Sequence, residues 1–361
     1  MSLSQIKDQE NAVRLLRNIK RLNRIPSGLL FWGPDGVGKR LTAVAFAKAI
    51  NCRESADDAC DACLACRKCD HGNHADIMMM TPTGKKREIV VKTIEQVIET
   101  AFYRPFEGGR RVIIFQDADR MNEPAQNHFL KTLEEPPSLS IFILLTEQPR
   151  RLLPTIRSRC QRVCFGVLRQ QTVADMLLQH TDLGREEAQT LAALSQGSMA
   201  RALELVNTDR HKVVLDIIHR LAIGEDPLIV SEGFAGHIQT IEKAIAAMVQ
   251  NDNGENGDNP DDEMESKPDK EEKEALVIGL VRRELLEYLR LFDAWYRDEL
   301  LYGITRDTRI VYNIDHLHQM PREIDMERHT AKLTAIVEAG KYIERNLQAK
   351  RVFRDLFFAL A

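Results

Sequence analysis

Three groups of residues have types and spacings suited to chemistry. The first is Gly33-Pro34-Asp35-Gly36-Val37-Gly38-Lys39-Arg40, preceded by the apolar run Leu29–Trp32 and followed by a helical pattern, Leu41–Ile50. A buried strand, a glycine-rich turn and a helix are the context of a phosphate-binding loop. Gly33, Gly36 and Gly38 let the backbone turn and aim its N–H groups at phosphate oxygens, while Lys39 supplies charge for the β- and γ-phosphates and the helix N-terminus adds its dipole. One position departs from the pattern: the hydroxyl residue that should hold Mg²⁺ is Arg40, and Thr42 comes two residues too late. The second group is Cys52, Cys60, Cys63, Cys66 and Cys69. Repeated two-residue gaps let thiolates converge on one tetrahedral ion, as structural zinc requires. Five cysteines exceed the four that zinc takes. Cys52 with Cys60, Cys63 and Cys66 is the preferred set, Cys69 in place of Cys52 is the alternative, and His71 or His74 could enter either. A closed site of this kind leaves no position for substrate. The third group is Asp117, within the stretch Arg111–Asp119 that reads as a strand, where an aspartate would bind Mg²⁺ directly or through water. The next position, where a water-activating glutamate would stand, holds Ala118, and Asp119 comes one residue later and would point elsewhere.

The elements that must position these groups can be read from the hydrophobic pattern. Residues 5–24 read as one amphipathic helix or two, packed on the next domain or offering arginines to phosphate. Asp76–Met80 reads as a strand, Ile89–Val91 as a short strand entering the helix at Thr93–Ile98, and Arg104–Gly109 as a turn. Asn127–Glu135 is a helix stopped by Pro136 and Pro137. Ile141–Thr146 is a buried strand with polar Thr146 at its end, and Val163–Phe165 is another. Alternating strands and helices in this order predict an α/β domain with a parallel sheet covered on both faces. Helical periodicity continues through 166–206 and, in several helices, to the last stretch, Tyr342–Phe358. The Phe and Leu face of that stretch suits a core or a subunit interface equally, as do Trp295 and Tyr296.

The totals narrow the class. At 361 residues, two or three domains are expected. No apolar run approaches the roughly 18 residues of a membrane span and the N-terminus lacks a signal-peptide core, so a cytoplasmic protein without a membrane role is expected. In that compartment crowded cysteines point to metal rather than disulfides. Residues 251–275 hold eleven acids and three lysines, a net of −8, and are nearly free of apolar groups, so they read as a disordered acidic insertion. With a whole-chain charge of −4, the remainder is then about +4, which permits nucleic-acid contact without demanding it.

Taken together, Gly33-to-Lys39, the cysteine cluster, Lys131-Thr132-Leu133-Glu134-Glu135-Pro136-Pro137 and Ser158-Arg159-Cys160 resemble the clamp-loader subunits of bacterial DNA polymerase III, within the AAA+ ATPases. The resemblance spans roughly residues 5–206, with a weaker echo near the C-terminus. It implies an AAA+ domain over 1–165 with a zinc module at 52–69, a small helical lid over 166–206, and an all-α collar over 207–361 that contains the insertion. It implies Gly33, Gly36, Gly38, Lys39, Arg40 and Thr146 as nucleotide-binding positions, and Arg159 as the arginine finger that reaches ATP on a neighbouring subunit. An ordinary salt bridge within its own domain is the other reading of Arg159. In Gly197–Leu203 the motor subunits usually carry arginine where Ala200 stands, and Arg201 is one residue late, a turn of about 100°. Carrying Arg40, Ala118 and Ala200 in place of the motor's residues while keeping the finger resembles the delta-prime kind of subunit more than the gamma/tau motor. Structural Zn²⁺ is then the expected cofactor, with ATP and Mg²⁺ weak or absent. The expected partners are gamma/tau and delta subunits, with sliding clamp and primed DNA reached through the complex. Two alternatives stand beside this: an ATP-hydrolysing motor in which Thr42 or water replaces the lost ligand, and a zinc-stabilised nucleic-acid-binding protein with a vestigial phosphate loop.

Overall fold

A computed structural model of the chain describes residues 1–82, 88–107, 109–137, 139–251, 270–321 and 323–361. By internal contacts it divides into two units, residues 1–176 with 196–201, and residues 177–195 with 202–361.

The first unit carries helix α1 (Glu10–Arg21), strand β1 (Gly28–Trp32), α2 (Lys39–Asn51), α3 (Leu64–Asp70), β2 (Ile77–Met80), α4 (Val91–Phe102), β3 (Arg111–Phe115), α5 (Glu123–Glu134), β4 (Ser140–Thr146), α6 (Pro154–Arg159) and β5 (Gln161–Cys164). The strands form one parallel sheet, ordered β2-β3-β4-β1-β5. Successive residues of the central strands feed opposite cores. Leu29, Phe31, Ile141 and Ile143 pack with α1 and α2 through Leu16, Ala43 and Phe46. Leu30, Ile113, Phe142 and Leu144 pack with α4 and α5 through Ile94, Val97, Phe129 and Leu133. This two-sided burial is why the strands read as unbroken apolar runs rather than alternating ones. Two local expectations need correction. The N-terminal pattern resolves into a short 3-10 turn, Leu3–Gln5, and the single helix α1. Residues 89–91 do not form a strand: Ile89 makes one isolated bridge to Met121, and Val91 already opens α4. Of the turn expected at Arg104–Gly109, the amides of Phe106 and Glu107 donate to buried Asp76 at 2.7 and 2.9 Å, and Gly108 lies outside the described residues.

Helix α7 (Gln170–His180) follows, then α8 (Arg185–Leu194), α9 (Met199–Asn207), α10 (Arg210–Ala222), α11 (Pro227–Asn251), α12 (Lys270–Thr305), α13 (Met326–Glu344) and α14 (Ala349–Leu360). The second unit is built of helices from this series. Val352, Phe353, Leu356, Phe357 and Leu360 of α14 are buried. Phe353 stacks edge-on against Phe234 at 4.7 Å, and Trp295 and Tyr296 are buried as well. These side chains are therefore core. The acidic stretch expected to be disordered, 251–275, falls mostly outside the described residues. Its ends are helical, however: Asn251 closes α11, and α12 starts at Lys270, where a run of Glu and Lys has high helix propensity. No described helix is long and apolar enough to cross a membrane.

Candidate functional site

The phosphate loop lies between β1 and α2 at the C-terminal edge of the sheet. Gly36 and Gly38 adopt left-handed backbone conformations, φ 71° and 95°. At Gly36 glycine is demanded twice over, since a methyl there would also run into Ser198 and Ala200. The amide of Met199, the first residue of α9, donates to the Gly36 carbonyl at 3.0 Å. Ala200 is thus packed against the loop. Buried Lys39 turns back on its own loop, its Nζ donating to the carbonyls of Gly33 and Pro34 at 2.7 and 2.5 Å. Burial pulls its ammonium below the usual lysine range, opposed by the charges of Glu147, Asp35, Asp117 and Asp119. Arg40 is exposed. Thr42 is buried and its hydroxyl donates to the Gly38 carbonyl at 2.9 Å, so it is committed within the helix.

Beside the loop, the ends of β3 and β4 meet. Asp117 has a left-handed backbone, φ 48°, and starts the 3-10 turn Ala118–Arg120. Ala118 points into the core with no exposed surface. That turn brings Asp119 back towards the sheet, correcting the expectation that it points elsewhere: the Thr146 hydroxyl donates to Asp119 Oδ1 at 2.6 Å. Thr146 also accepts from the Gln148 amide at 3.0 Å. Sequence reasoning did not single out Glu147 or Asp35. Burial, then the charge of Asp35, raises the Glu147 carboxyl above its usual range, with Lys39 pulling the other way. Their adjacency to Thr146 and to the loop glycines was the available signal.

Arg159 ends α6. Its Nη2 lies 2.5 Å from Glu134 Oε1 of α5, with the two side chains 36% and 49% exposed, and its Nη1 reaches the Thr155 carbonyl at 3.4 Å. An in-domain ion pair is therefore present.

The cysteines converge at the far end of α2. Cys52 caps that helix, Cys60 lies in the loop, Cys63 caps α3 and Cys66 sits in its first turn. The four sulfurs lie within 4.8 Å of one another, and Cys60 and Cys66 are 3.9 Å apart. Four sulfurs at a Zn–S distance of about 2.3 Å stand roughly 3.8 Å apart in a tetrahedron, so the cluster could hold a metal ion. Hydrogen bonds from the Ala62 and Cys63 amides hold the Cys60 thiol at about 6, which favours the ligating thiolate. Cys69 stands outside the set, and burial pushes its thiol up to about 12. His71 is exposed, and His74 uses Nδ1 to accept from the Asp76 amide. Neither histidine joins the cluster. From α1, Lys20 donates to the carbonyls of Cys52, Ser55 and Asp58 at 3.3, 2.8 and 2.8 Å, closing the loop that carries Cys60.

The parallel sheet with its covering helices, the cysteine cluster and the helical C-terminal region fit an AAA+ fold. Residues 8–169 match the family model described as DNA polymerase III, delta subunit. The chain is 33% identical over 223 residues to DNA polymerase III subunit delta' of Bacillus subtilis (strain 168), covering 59% of this chain and 65% of that protein. It is 35% identical over 178 residues to subunit delta' of Pseudomonas aeruginosa, covering 49% and 54% respectively. Against subunit tau of Bacillus subtilis it is 32% identical over 205 residues, covering 55% of this chain and 36% of tau. The chain thus spans less than two thirds of the length of each of these relatives. A crystal structure of a DNA polymerase III gamma subunit-related protein from Thermotoga maritima aligns over 96% of this chain and 98% of its own at 20% identity, with a TM-score of 0.44, too low to bear on the fold. The family match places the similarity in residues 8–169, and with these relatives it is a similarity to delta, delta-prime and tau subunits of DNA polymerase III.

Proposed function

We propose that this chain is a delta-prime-like, non-motor subunit of a DNA polymerase III clamp loader in the cytoplasm. It helps ATP-driven loading of the sliding clamp onto primed DNA, in company with gamma/tau and delta subunits, while hydrolysing little ATP itself. The observation that carries this reading is the state of the phosphate loop. Arg40 cannot ligate Mg²⁺, the Thr42 hydroxyl is spent on Gly38, and Ala118 is a buried methyl where a water-activating carboxylate would be needed. Gly33, Gly36, Gly38, Lys39 and Thr146 remain a surface for weak nucleotide binding, with Asp117 a degenerate acidic position.

Arg159 acts in trans. Its pair with Glu134 is half-exposed, and such pairs are worth about 0–1 kcal/mol. The guanidinium can therefore leave Glu134 for a neighbour's phosphate oxygens at little cost and gain two parallel charge-assisted bonds there. Positive charge delivered to a phosphoryl group in flight needs no competent site on the chain that delivers it.

The ion held by Cys52, Cys60, Cys63 and Cys66 is structural Zn²⁺, in keeping with four thiolates and no open position. Residues 1–165, 166–206 and 207–361 serve as AAA+ domain, lid and collar. The test is steady-state ATP hydrolysis by the purified chain, alone and with an active motor subunit. Background turnover alone, unchanged in Lys39→Ala, supports the proposal. Steady turnover abolished by Lys39→Ala would contradict it and favour the motor reading.

A further inference from the structure

Helix α2 has the phosphate-loop lysine at one end and Cys52 at the other, and one buried cation lies near the cysteine end. Lys48 is 1% exposed, and its Nζ lies 2.5 Å from Asp61 Oδ1 and 2.6 Å from Asp70 Oδ2. Both carboxylates belong to the cysteine module: Asp61 follows Cys60, and Asp70 closes α3 one residue after Cys69. Asp70 also meets the Met1 amino group at 2.9 Å. The module contributes few apolar anchors of its own beyond Ala59 and the cysteines, and Leu64 projects into solvent.

We infer that Lys48 is a positioning residue that couples metal occupancy of the cysteine module to the helix carrying the phosphate loop. This inference rests on the reading of the cysteine cluster as a zinc site. With four thiolates gathered on one ion, Asp61 and Asp70 are held where Lys48 needs them. Without the ion the module keeps its ties to α1 and the N-terminus through Arg17, Lys20 and Met1, but loses the link between the loop that carries Asp61 and the helix that ends in Asp70. An ammonium left buried without partners is strongly unfavourable, so α2 must shift or fray to hydrate Lys48. A helix transmits such a shift: Lys39 lies nine residues away, about 13 Å along the axis. By linkage the effect is reciprocal, and an α2 fixed in place by an occupied phosphate loop binds the metal more tightly.

The test is hydrogen exchange of the full chain, loaded with Zn²⁺ and stripped by a chelator, in wild type and in the double variant Asp61→Asn, Asp70→Asn. Those carboxylates are 36% and 40% exposed, and the variant keeps their shape. Lys48→Met serves as the second variant. In wild type, stripping should speed exchange not only across residues 52–75 but also across α2 from residue 43 to 51, by about tenfold, within the usual range for coupled sites. In the double variant, with one Zn²⁺ still bound per chain, α2 should already exchange at the faster rate, and stripping should add little. Fast exchange confined to 52–75 in stripped wild type would overturn the inference, as would full α2 protection in the zinc-loaded double variant. A wild-type chain that retains no Zn²⁺ would overturn the zinc reading with it, and metal analysis before exchange separates that failure from the others.

Discussion

Thr146 Oγ1 donates to Asp119 Oδ1 at 2.6 Å, which ties the end of β4 to the turn that follows β3. The same oxygen accepts from the Gln148 amide, so one buried hydroxyl sets the rim on which Glu147 and Asp117 face the phosphate loop. Thr146→Val removes both bonds, leaving the part-buried Asp119 carboxylate and the Gln148 amide short of a partner. It should lower stability by about 1–3 kcal/mol, read as a fall in the urea midpoint at unchanged slope. A midpoint equal to that of wild type would mean that water replaces the hydroxyl without loss.

The cysteine set makes a discriminating prediction. Cys52→Ser removes one of the four gathered sulfurs and should reduce retained Zn²⁺ from one per chain towards zero after dialysis. Cys69→Ser should retain one Zn²⁺ per chain, since Cys69 lies outside the cluster. Metal analysis of the dialysed proteins gives both counts, and the reverse pattern would transfer the site to the alternative set.

In the helical unit, buried His211 hydrogen-bonds Asn313 Oδ1 at 2.9 Å, and Asn313 is itself held by Asp298. Burial lowers the His211 pKa below the ordinary histidine value. The unfolded chain therefore takes up a proton near pH 6.5 that the folded chain refuses, so stability falls as pH drops below about 6.5 and levels off only below the folded value. His211→Asn should flatten that part of the unfolding-midpoint profile. An unchanged slope would assign the acid sensitivity to other groups.

Much of this was legible in the sequence, for physical reasons. The central strands are buried on both faces, so their apolar runs stood out, and the two-residue gaps of Cys60, Cys63 and Cys66 reported a cluster before any geometry was known. Ile89–Val91 misled because three β-branched or apolar residues carry strand propensity whether or not a neighbouring strand exists. Asp119 was misassigned because the left-handed Asp117 rotates the chain in a way that residue counting does not capture. The contact of Ser198, Met199 and Ala200 with Gly36 was out of reach for another reason: it joins segments more than 160 residues apart with no pattern between them. For Arg159 an in-domain salt bridge stood as one of two readings, but its partner Glu134 lies 25 residues away and no spacing pointed to it.

The central claim is tested most directly by ATP turnover of an assembled clamp loader containing this chain, active motor subunits, sliding clamp and primed DNA, with wild-type Arg159 or Arg159→Ala. An arginine finger supplied in trans is worth about 10³–10⁵ in rate at the site it serves. The account predicts that Arg159→Ala assembles normally but silences the one motor site it faces, cutting total turnover, while Arg159→Lys restores little because it lacks the planar fork. Turnover unchanged in a fully assembled Arg159→Ala complex would contradict the account and leave Arg159 as the partner of Glu134 alone.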